Sequence, residues 1–384
     1  MALFLSVKEI WRNRNRFFLF SLVIALITTL VLFIAALAEG LATANKEYIS
    51  KIDAELFVFQ KNVSFSASAS QIQRSIVNNI RRTPGIESIG SVGFGGADIV
   101  IPGGQKPLPV SLIGIEAGMP GNPAIITGKP LTTTYAMEGV LDRRAAEKLK
   151  LKVGDRITIK TIQAAKDKFY TLRVVGFSDS NQYLFRPSLF IPYRTWDEIR
   201  SQPDPGRPDR ELVSNIVAVK ATLGTDLKQL ASQIQVNVTD VEVADKKTTI
   251  EAIPGYSAQQ STLNTQQIFT LLIGVLVIGG FFQIQMLQKV PLIGVLKAIG
   301  ATNSTVALAV VSQIVIITTF GVMLGSLVTI GLALGIPSGV PIIFNGEKVI
   351  TSLLALLAIG PLGGLVTVRL AVSVEPLMAL GLSS

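Results

Sequence analysis

Four long apolar runs constrain the fold of this 384-residue chain more than any other feature. The runs cover residues 17–38, 268–287, 306–334 and 349–368. A helix needs about 20 mostly apolar residues, within a range of roughly 17 to 25, to cross a hydrocarbon core of about 30 Å. Each run meets or exceeds that length, and the mean hydropathy of +0.50 is typical of a membrane protein. The sequence therefore predicts four transmembrane helices.

The first run has one competing interpretation, a cleaved signal peptide. Basic residues precede the run, and Ala36, Leu37 and Ala38 have the pattern of a small-residue cleavage site. However, the apolar core of a signal peptide is only roughly 7 to 15 residues long, which is shorter than the run 17–38. The length therefore favours a membrane-spanning helix.

Basic residues near the ends of the runs indicate the orientation of the chain. They are Arg12, Arg14 and Arg16 before the first run, Lys289 and Lys297 between the second and third runs, and Arg369 after the fourth. Membrane-flanking segments rich in Lys and Arg stay on the cytoplasmic side. This rule predicts that both termini are cytoplasmic and that Arg12, Arg14 and Arg16 anchor the first helix at the inner surface. It places residues 44–265 on the outer side.

The segment 44–265, between the first two spans, has the pattern of a mixed α/β domain. Short runs rich in β-branched residues are separated by Gly, Pro and Asp, which is typical of strands joined by turns. The predicted strands are 55–59, 99–101, 110–115, 156–161, 170–177, 188–192 and 216–220, and the predicted helices are 69–82, 142–149 and 225–235. We therefore divide the chain into an amphipathic start with the first span (1–43), an inserted extracytoplasmic α/β domain (44–265) and three further spans (266–384).

Composition excludes several classes of function. The chain contains no Cys and no His, which excludes disulfides, His-based catalytic triads and zinc sites built from His and Cys. Its net charge of +9 is not concentrated in a basic tract interleaved with aromatic residues, so we expect no nucleic-acid partner. The sequence has no G-x-x-x-x-G-K-[ST] phosphate loop, so any ATP hydrolysis must come from another chain. We expect no enzyme active site and no directly bound metal or cofactor.

The segment 289–302, which reads KVPLIGVLKAIGAT, is the most informative short stretch. Its apolar side chains at helical spacing are Leu292, Ile293, Leu296 and Ile299. Together with Lys297 and a helix stop at Gly300, they predict a short amphipathic helix at the membrane surface that can receive force from a partner. An inert interfacial helix has the same pattern, so both interpretations stay open.

Three motifs resemble, in the same order, those of the MacB/FtsX-type permeases of ATP-binding-cassette (ABC) systems. They are K-E-I-W-R-N-R-N-R-F within 6–17, I-G-V-L-K-A-I-G-A at 293–301 and V-E-P-L-M-A-L at 374–380. The plan of one span, a large outer domain and three spans is also similar, as is a predicted strand pair within 151–176. The chain departs from the family at Pro291 and Leu292, where polar or acidic residues are usual, and it lacks the common Arg after the final A-L.

This resemblance implies a homodimeric permease in a prokaryotic plasma membrane, bound to two copies of a cytoplasmic ABC ATPase that uses ATP and Mg²⁺. It also implies that residues 289–304 form the coupling helix that receives the motion of the ATPase. The residues expected to carry this coupling are Ile293, Gly294, Leu296, Lys297 and Gly300. The implied activity is export or extraction of a hydrophobic or amphipathic substrate, such as haem, lipid, peptide or drug. The segment 48–70 is most similar to the haem-export and DevC-like branch.

Two other functions stay open on the sequence alone. A transmitter of motion that regulates a cell-wall hydrolase or a sensor, without transporting anything, would use the same architecture. A membrane-tethered enzyme would need a convergent acid, base or nucleophile set. The inserted domain offers only scattered carboxylates and a serine-rich stretch at 64–70, which we interpret as a loop.

Glu39 is a possible substrate-site residue, because it is the one acid near the outer end of an apolar span and a charge in lipid is unfavourable. The competing interpretation places it in the headgroup region, next to Gly40. If haem is the substrate, its axial ligands must come from Met, Tyr, Glu or Lys, because His and Cys are absent.

The third span contains two G-x-x-x-G pairs, Gly321 with Gly325 and Gly331 with Gly335. Such pairs allow two helices to approach closely. We expect them to serve packing within the helix bundle rather than a dedicated dimer interface.

Overall fold

The structure is a computed structural model that describes residues 8, 11–103, 106–179, 181–201, 211–335 and 341–373. The chain forms two compact units. Residues 1–41 and 260–384 make up the first, here the membrane unit, and residues 42–259 make up the second, here the inserted unit. The motif at 374–380 and part of the motif within 6–17 lie outside the described residues.

The helices and strands are numbered here in chain order. The helices are α1 Arg14–Lys51, α2 Arg74–Arg81, α3 Arg143–Leu149, α4 Tyr193–Ile199, α5 Leu227–Asn237, α6 Lys246–Glu251, α7 Tyr256–Ala298, α8 Asn303–Gly335 and α9 Gly346–Ser373. The strands are β1 Leu56–Gln60, β2 Ile72–Gln73, β3 Ile86–Ile99, β4 Leu108–Ile115, β5 Ile125–Gly128, β6 Glu138–Asp142, β7 Arg156–Gln163, β8 Lys166–Ser178, β9 Gln182–Tyr183, β10 Arg186–Pro192, β11 Val213–Ser214, β12 Ile216–Ala221 and β13 Val241–Asp245.

The four predicted spans are confirmed as helices. Among the described residues, α1, α7, α8 and α9 are the helices long and apolar enough to cross a membrane. The helices α1 and α7 are longer than the predicted spans, because polar residues continue each helix beyond its apolar run. The described part of the chain thus has four candidate membrane helices and a mixed α/β unit between the first and the second.

The prediction of a separate surface helix at 289–304 is wrong. α7 continues through Pro291 to Ala298, and a short turn then leads to α8 at Asn303. A proline within a helix removes one backbone N–H. The residues after it are mostly Leu, Val, Ala and Lys, and the helix continues through them. Gly300 is confirmed as the stop, since its φ of 102° is a left-handed conformation that ends helices.

Glycines allow α8 to approach α1 inside the membrane unit. A Cβ atom at Gly321 would lie 2.6 Å from the Cβ of Ile24, and one at Gly325 would lie 2.6 Å from the Cβ of Thr28. The Oγ1 of Thr29 also donates a hydrogen bond to the Gly325 carbonyl oxygen at 3.1 Å. This pair therefore packs within the chain, as predicted. Gly331 and Gly335 have open space where their side chains would be, so they do not share this role.

The inserted unit is built on one large mixed sheet. Its strand order is β13-β1-β12-β3-β4-β10-β6-β8-β5, and β7 pairs with both β3 and β8. The β4–β10 and β6–β8 pairs are parallel, and the other pairs on this path are antiparallel. The predicted strand pair within 151–176 is confirmed, because β7 and β8 form an antiparallel hairpin in which Arg156 faces Arg173.

Two predictions within the inserted unit are wrong in extent. The predicted strand 99–101 overlaps only the end of β3, because glycines at four positions from Gly90 to Gly96 weaken the strand pattern. The predicted helix 69–82 is shorter, because its first residues form turns and the strand β2. The stretch 64–70 is irregular with turns, as predicted.

Candidate functional site

The end of α7, the turn after it and the start of α8 form the candidate coupling site. The N–H of Gly300 donates to the Lys297 carbonyl at 3.0 Å, and the N–H of Ala301 donates to the Leu296 carbonyl at 3.0 Å. These bonds satisfy carbonyls that a helix end leaves without partners. Thr302 then caps α8, since its Oγ1 accepts a hydrogen bond from the Thr305 N–H at 3.3 Å. The sequence thus specifies a tight helical hairpin here.

Two of the predicted coupling residues are buried. Ile293 packs in a cluster with Met286 of α7, Val306 of α8 and Ala371 of α9, and Gly294 is buried beside it. A buried side chain does not contact a partner directly. Ile293 therefore holds the ends of three helices together, which is a positioning role.

Lys297 connects α7 to the end of α9. Its ammonium group donates a hydrogen bond to the Val372 carbonyl oxygen at 2.6 Å. Val372 lies in the last turn of α9, where carbonyls lack helical partners and a positive charge is favourable. The family resemblance predicts that Lys297 is a coupling residue, but no sequence pattern indicated its contact with Val372, which is 75 residues away in the chain.

The apolar residues predicted to share one face of the segment fall on two faces. Ile293 is buried, whereas Leu292 and Ile299 are exposed, Ile299 by 79%. Successive residues in a helix are about 100° apart, so neighbours such as Leu292 and Ile293 point in different directions. The exposed apolar side chains at this end of α7 are Leu292, Val295 and Ile299, which we call the α7 stripe.

The basic residues at the start of α1 are exposed, as an anchor at the membrane surface requires. Arg12, Arg14 and Arg16 are all exposed, and the Arg16 guanidinium lies 5.7 Å from the centre of the Phe20 ring. Trp11 beside them is also exposed, and Trp is enriched at membrane interfaces. Trp11 was not among the predicted anchor residues, although its position beside Arg12 indicated one.

Glu39 has partners within the membrane unit. Its carboxylate lies 2.6 Å from the ammonium of Lys348, and it accepts a hydrogen bond of 3.5 Å from Asn345. Both partners precede or begin α9, whereas Val372 lies 24 residues beyond Lys348 near the other end of that helix. At about 1.5 Å per residue, the Glu39 and Lys297 contacts are about 36 Å apart along α9. The ion pair with Lys348 neutralises Glu39 without any ligand, and a substrate role for Glu39 stays a prediction.

Comparisons with known proteins agree with this architecture. Residues 17–236 match the MacB-like periplasmic core domain, and residues 267–376 match the FtsX-like permease C-terminal domain. Together with the four candidate membrane helices, these matches define a membrane permease with an inserted α/β domain. The chain belongs to the family of MacB/FtsX-type ABC transporter permeases.

Two relatives extend over nearly the full length of the chain. It is 27% identical over 380 residues to the predicted hemin transport system permease protein HrtB of Staphylococcus haemolyticus. This match covers 98% of this chain and 99% of the relative. It is 25% identical over 386 residues to the protein of the same name in Staphylococcus epidermidis, with the same coverage.

Solved structures of inserted domains are more distant. The extracellular domain of the noncanonical ABC-type transporter YknZ from Gram-positive bacteria is 12% identical, with a TM-score of 0.36, and the match covers 50% of this chain and 98% of that domain. The periplasmic region of MacB from Actinobacillus actinomycetemcomitans is 18% identical, with a TM-score of 0.37, and the match covers 53% and 95%.

Proposed function

We propose that this chain is the membrane subunit of an ATP-driven exporter that moves a hydrophobic or amphipathic substrate, with haem as the first candidate. The observation that carries this proposal is the pairing of both family domains in one chain with full-length similarity to relatives named for hemin transport. Haem enters here as the transported substrate and not as a resident cofactor. Lipid, peptide and drug are the other substrates of this chemical class.

The ATP hydrolysis would come from a separate cytoplasmic ABC ATPase, because the sequence lacks a phosphate loop. We propose that two copies of this ATPase bind a permease homodimer. The α7 stripe and the turn at Gly300 are the apolar, exposed surface at which each ATPase would dock. Apolar side chains at the centre of an interface contribute much of its affinity.

The side chains next to the α7 stripe contact the other helices, so a displacement of the turn at Gly300 would affect the whole membrane unit. Ile293 packs against α8 and α9, and Lys297 binds the last turn of α9. Lys289 of α7 donates a hydrogen bond of 3.0 Å to Gln313 of α8 and lies 5.6 Å from the centre of the Phe17 ring of α1. A displacement of the end of α7 would therefore move all four helices.

The proposed orientation follows from charge. Arg12, Arg14 and Arg16 precede α1 or begin it, and Lys289 and Lys297 lie at the other end of the membrane unit from Glu39. Basic residues mark the cytoplasmic side. We therefore propose that both termini and the α7 stripe are cytoplasmic, and that the inserted unit faces the outside of a prokaryotic plasma membrane.

The docking surface can be tested with one charge on the α7 stripe. Ile299→Glu should abolish co-purification of the ATPase, since a charged residue in an apolar interface core would be desolvated without a partner. Leu223→Glu is the matched control, because Leu223 is 99% exposed in a turn of the inserted unit. Equal ATPase recovery with Ile299→Glu and Leu223→Glu, both normally inserted, would contradict this surface.

The substrate can be tested with the intact complex in lipid nanodiscs. Haemin should raise its ATP turnover, and a phospholipid, a peptide and a hydrophobic drug serve as comparison ligands. Stimulation by one of these ligands and not by haemin would show that the substrate belongs to that ligand's class. ATP turnover without movement of any ligand, together with a changed activity of a bound hydrolase or sensor, would favour a transmitter of motion.

A further inference from the structure

The hairpin between β9 and β10 has an unusual turn. Tyr183 pairs with Arg186, so only Leu184 and Phe185 lie between the two strands. Both have positive φ angles, 51° and 61°, which identify a two-residue turn of the mirror-image type. Asn-Gly is favoured in such turns, whereas bulky side chains are strained in this conformation. Something other than turn formation must therefore account for a Leu-Phe pair at this position.

Core packing does not account for the pair. Leu184 is 36% exposed and Phe185 is 49% exposed, whereas Tyr183 just before them is buried in the core. Arg186, which follows, is exposed as well. The hairpin thus presents two partly exposed apolar side chains and a cation at its tip.

Two hydrogen bonds place this tip beside α1. The N–H of Phe185 donates to the Ala44 carbonyl at 3.1 Å, and the N–H of Leu184 donates to the Asn45 carbonyl at 3.4 Å. Ala44 and Asn45 follow the apolar run 17–38 by six and seven residues within the same helix. At about 1.5 Å per residue, this is about 10 Å of helix. The headgroup layer on each side of the hydrocarbon core is roughly 5–8 Å thick, so the backbone of the tip is tied to α1 about 2–5 Å beyond the outer edge of that layer.

A second pair of side chains at this level has the chemistry of a membrane interface. Lys46, next to Asn45, donates a hydrogen bond of 3.2 Å to the Tyr256 hydroxyl, and its ammonium lies 5.6 Å from the centre of that ring. Tyr and Lys are common at headgroup depth, because each has an apolar body and a polar end.

We propose that the Leu184–Phe185 tip is a lipid anchor, which inserts into the headgroup layer of the leaflet next to the inserted unit. The two apolar side chains would be buried among lipid, and Arg186 would pair with lipid phosphate. The burial of apolar surface in lipid would offset the strain of the turn. This inference does not depend on the ATPase, the transported substrate or the side of the membrane that the inserted unit faces.

The absence of cysteine makes a direct test possible, because one introduced cysteine is the only labelling site. Phe185→Cys and Leu184→Cys would each carry an environment-sensitive fluorophore, in the full chain reconstituted in nanodiscs that contain nitroxide-labelled phosphatidylcholine. Leu223→Cys is the control, since Leu223 is an exposed apolar turn residue of the same unit. Gel filtration and circular dichroism would establish that each labelled protein is folded.

We expect a blue-shifted emission at 184 and 185, with quenching by the nitroxide lipid at least threefold stronger than at 223. Equal quenching at all three positions would overturn the proposal. A second copy of the chain is the competing occupant of this tip. Spin labels at 185 that show close dipolar coupling between two protomers, without lipid quenching, would overturn the lipid anchor in favour of that contact.

Discussion

Lys297 links the motif at the end of α7 to the end of α9. Lys297 donates a hydrogen bond to the Val372 carbonyl in the last turn of α9, and Ile293 packs in one cluster with Ala371 of that turn. A hydrogen bond from a charged group contributes about 1.5–3 kcal/mol. We therefore expect the loss of this contact to weaken the connection between the two helices.

Replacement of Lys297 by Met should uncouple ATP turnover from transport. Loss of a contact worth about 1.5–3 kcal/mol corresponds to a roughly 10- to 100-fold effect, which we expect in substrate moved per ATP hydrolysed. Lys297→Arg keeps a charged donor and should retain much of the coupling. Normal coupling in Lys297→Met, with the protein correctly inserted, would show that the contact has no such role.

Glycine in β3 makes room for the largest buried side chain of the inserted unit. Gly93 pairs with Gly114 of β4, and the Trp196 side chain lies over both. A Cβ at Gly93 would come within 2.5 Å of the Trp196 ring, whereas one at Gly96 on the same strand would be 3.5 Å from an Arg186 nitrogen. The ring is rigid and fully packed, so it cannot yield as an exposed arginine can.

Gly93→Ala should therefore lower the free energy of unfolding by about 1–3 kcal/mol, as overpacking typically does. Gly96→Ala is its control and should change that energy by less than about 0.5 kcal/mol. Thermal or denaturant unfolding of the detergent-solubilised chain, followed by tryptophan fluorescence, measures both. Similar losses of unfolding free energy in the two variants would show that the space beside Gly93 is not required for Trp196.

Buried tyrosines should make the inserted unit sensitive to alkali. Burial raises the pKa of Tyr193 to about 12, although its hydrogen bond with Ser214 acts in the opposite direction, and burial raises the pKa of Tyr183 as well. An unfolded tyrosine ionises near pH 10, so above that pH the unfolded state loses protons before the folded state does. The stability is thus fully present below about pH 10 and is lost as the pH rises towards 12.

We expect the free energy of unfolding to fall by up to about 3 kcal/mol per such tyrosine across this range. Tyr193→Phe removes one ionisable group, and its stability should decline less steeply between pH 9.5 and 11.5 than that of the parent protein. Parallel declines in the two proteins would show that Tyr193 ionises equally in both states.

At the scale of elements, the β9–β10 hairpin is the place where local backbone preference and sequence disagree most. Leu184→Asn with Phe185→Gly would give the turn its favoured residues. Relief of two bulky left-handed residues is worth about 1–2 kcal/mol each, so the variant should unfold in detergent at a temperature several degrees higher. An unchanged or lower unfolding temperature would show that the turn is not strained.

Patterns along the sequence predicted elements wherever one rule dominated locally. The apolar runs gave all four membrane helices, and β-branched residues gave β4, β7, β8, β10 and β12. The pattern did not show that α7 continues past Pro291, because an apolar run marks the part of a helix that lies in lipid and not the residue at which the helix ends. Most of β3 was missed, since its glycines make room for residues that are distant in the sequence, such as Pro120 beside Gly90 and Trp196 beside Gly93.

The candidate site was predictable in its position but not in its contacts. Motif resemblance located residues 293–300, and Gly300 was correctly identified as a helix stop. The burial of Ile293, the bond from Lys297 to Val372 and the ion pair of Glu39 with Lys348 all join residues that are far apart in the sequence. Such pairings depend on how helices pack, which periodicity within one helix does not specify.

At the scale of the whole molecule, the two compact units carry different features. The inserted unit has its own sheet and core, and the membrane unit has the candidate coupling site near one end of α9 and the Glu39–Lys348 pair near the other. The sequence contains no G-x-x-x-x-G-K-[ST] phosphate loop. Its proposed activity therefore depends on an ATPase that drives the α7 end of the membrane unit.

The most direct test of the proposed exporter is purification of the chain from its native membrane, followed by measurement of ATP turnover with and without haemin. We expect a stoichiometric ABC ATPase in the complex, with turnover that haemin stimulates and that Ile299→Glu abolishes. A fully inserted chain that brings no ATPase with it would contradict the proposed exporter.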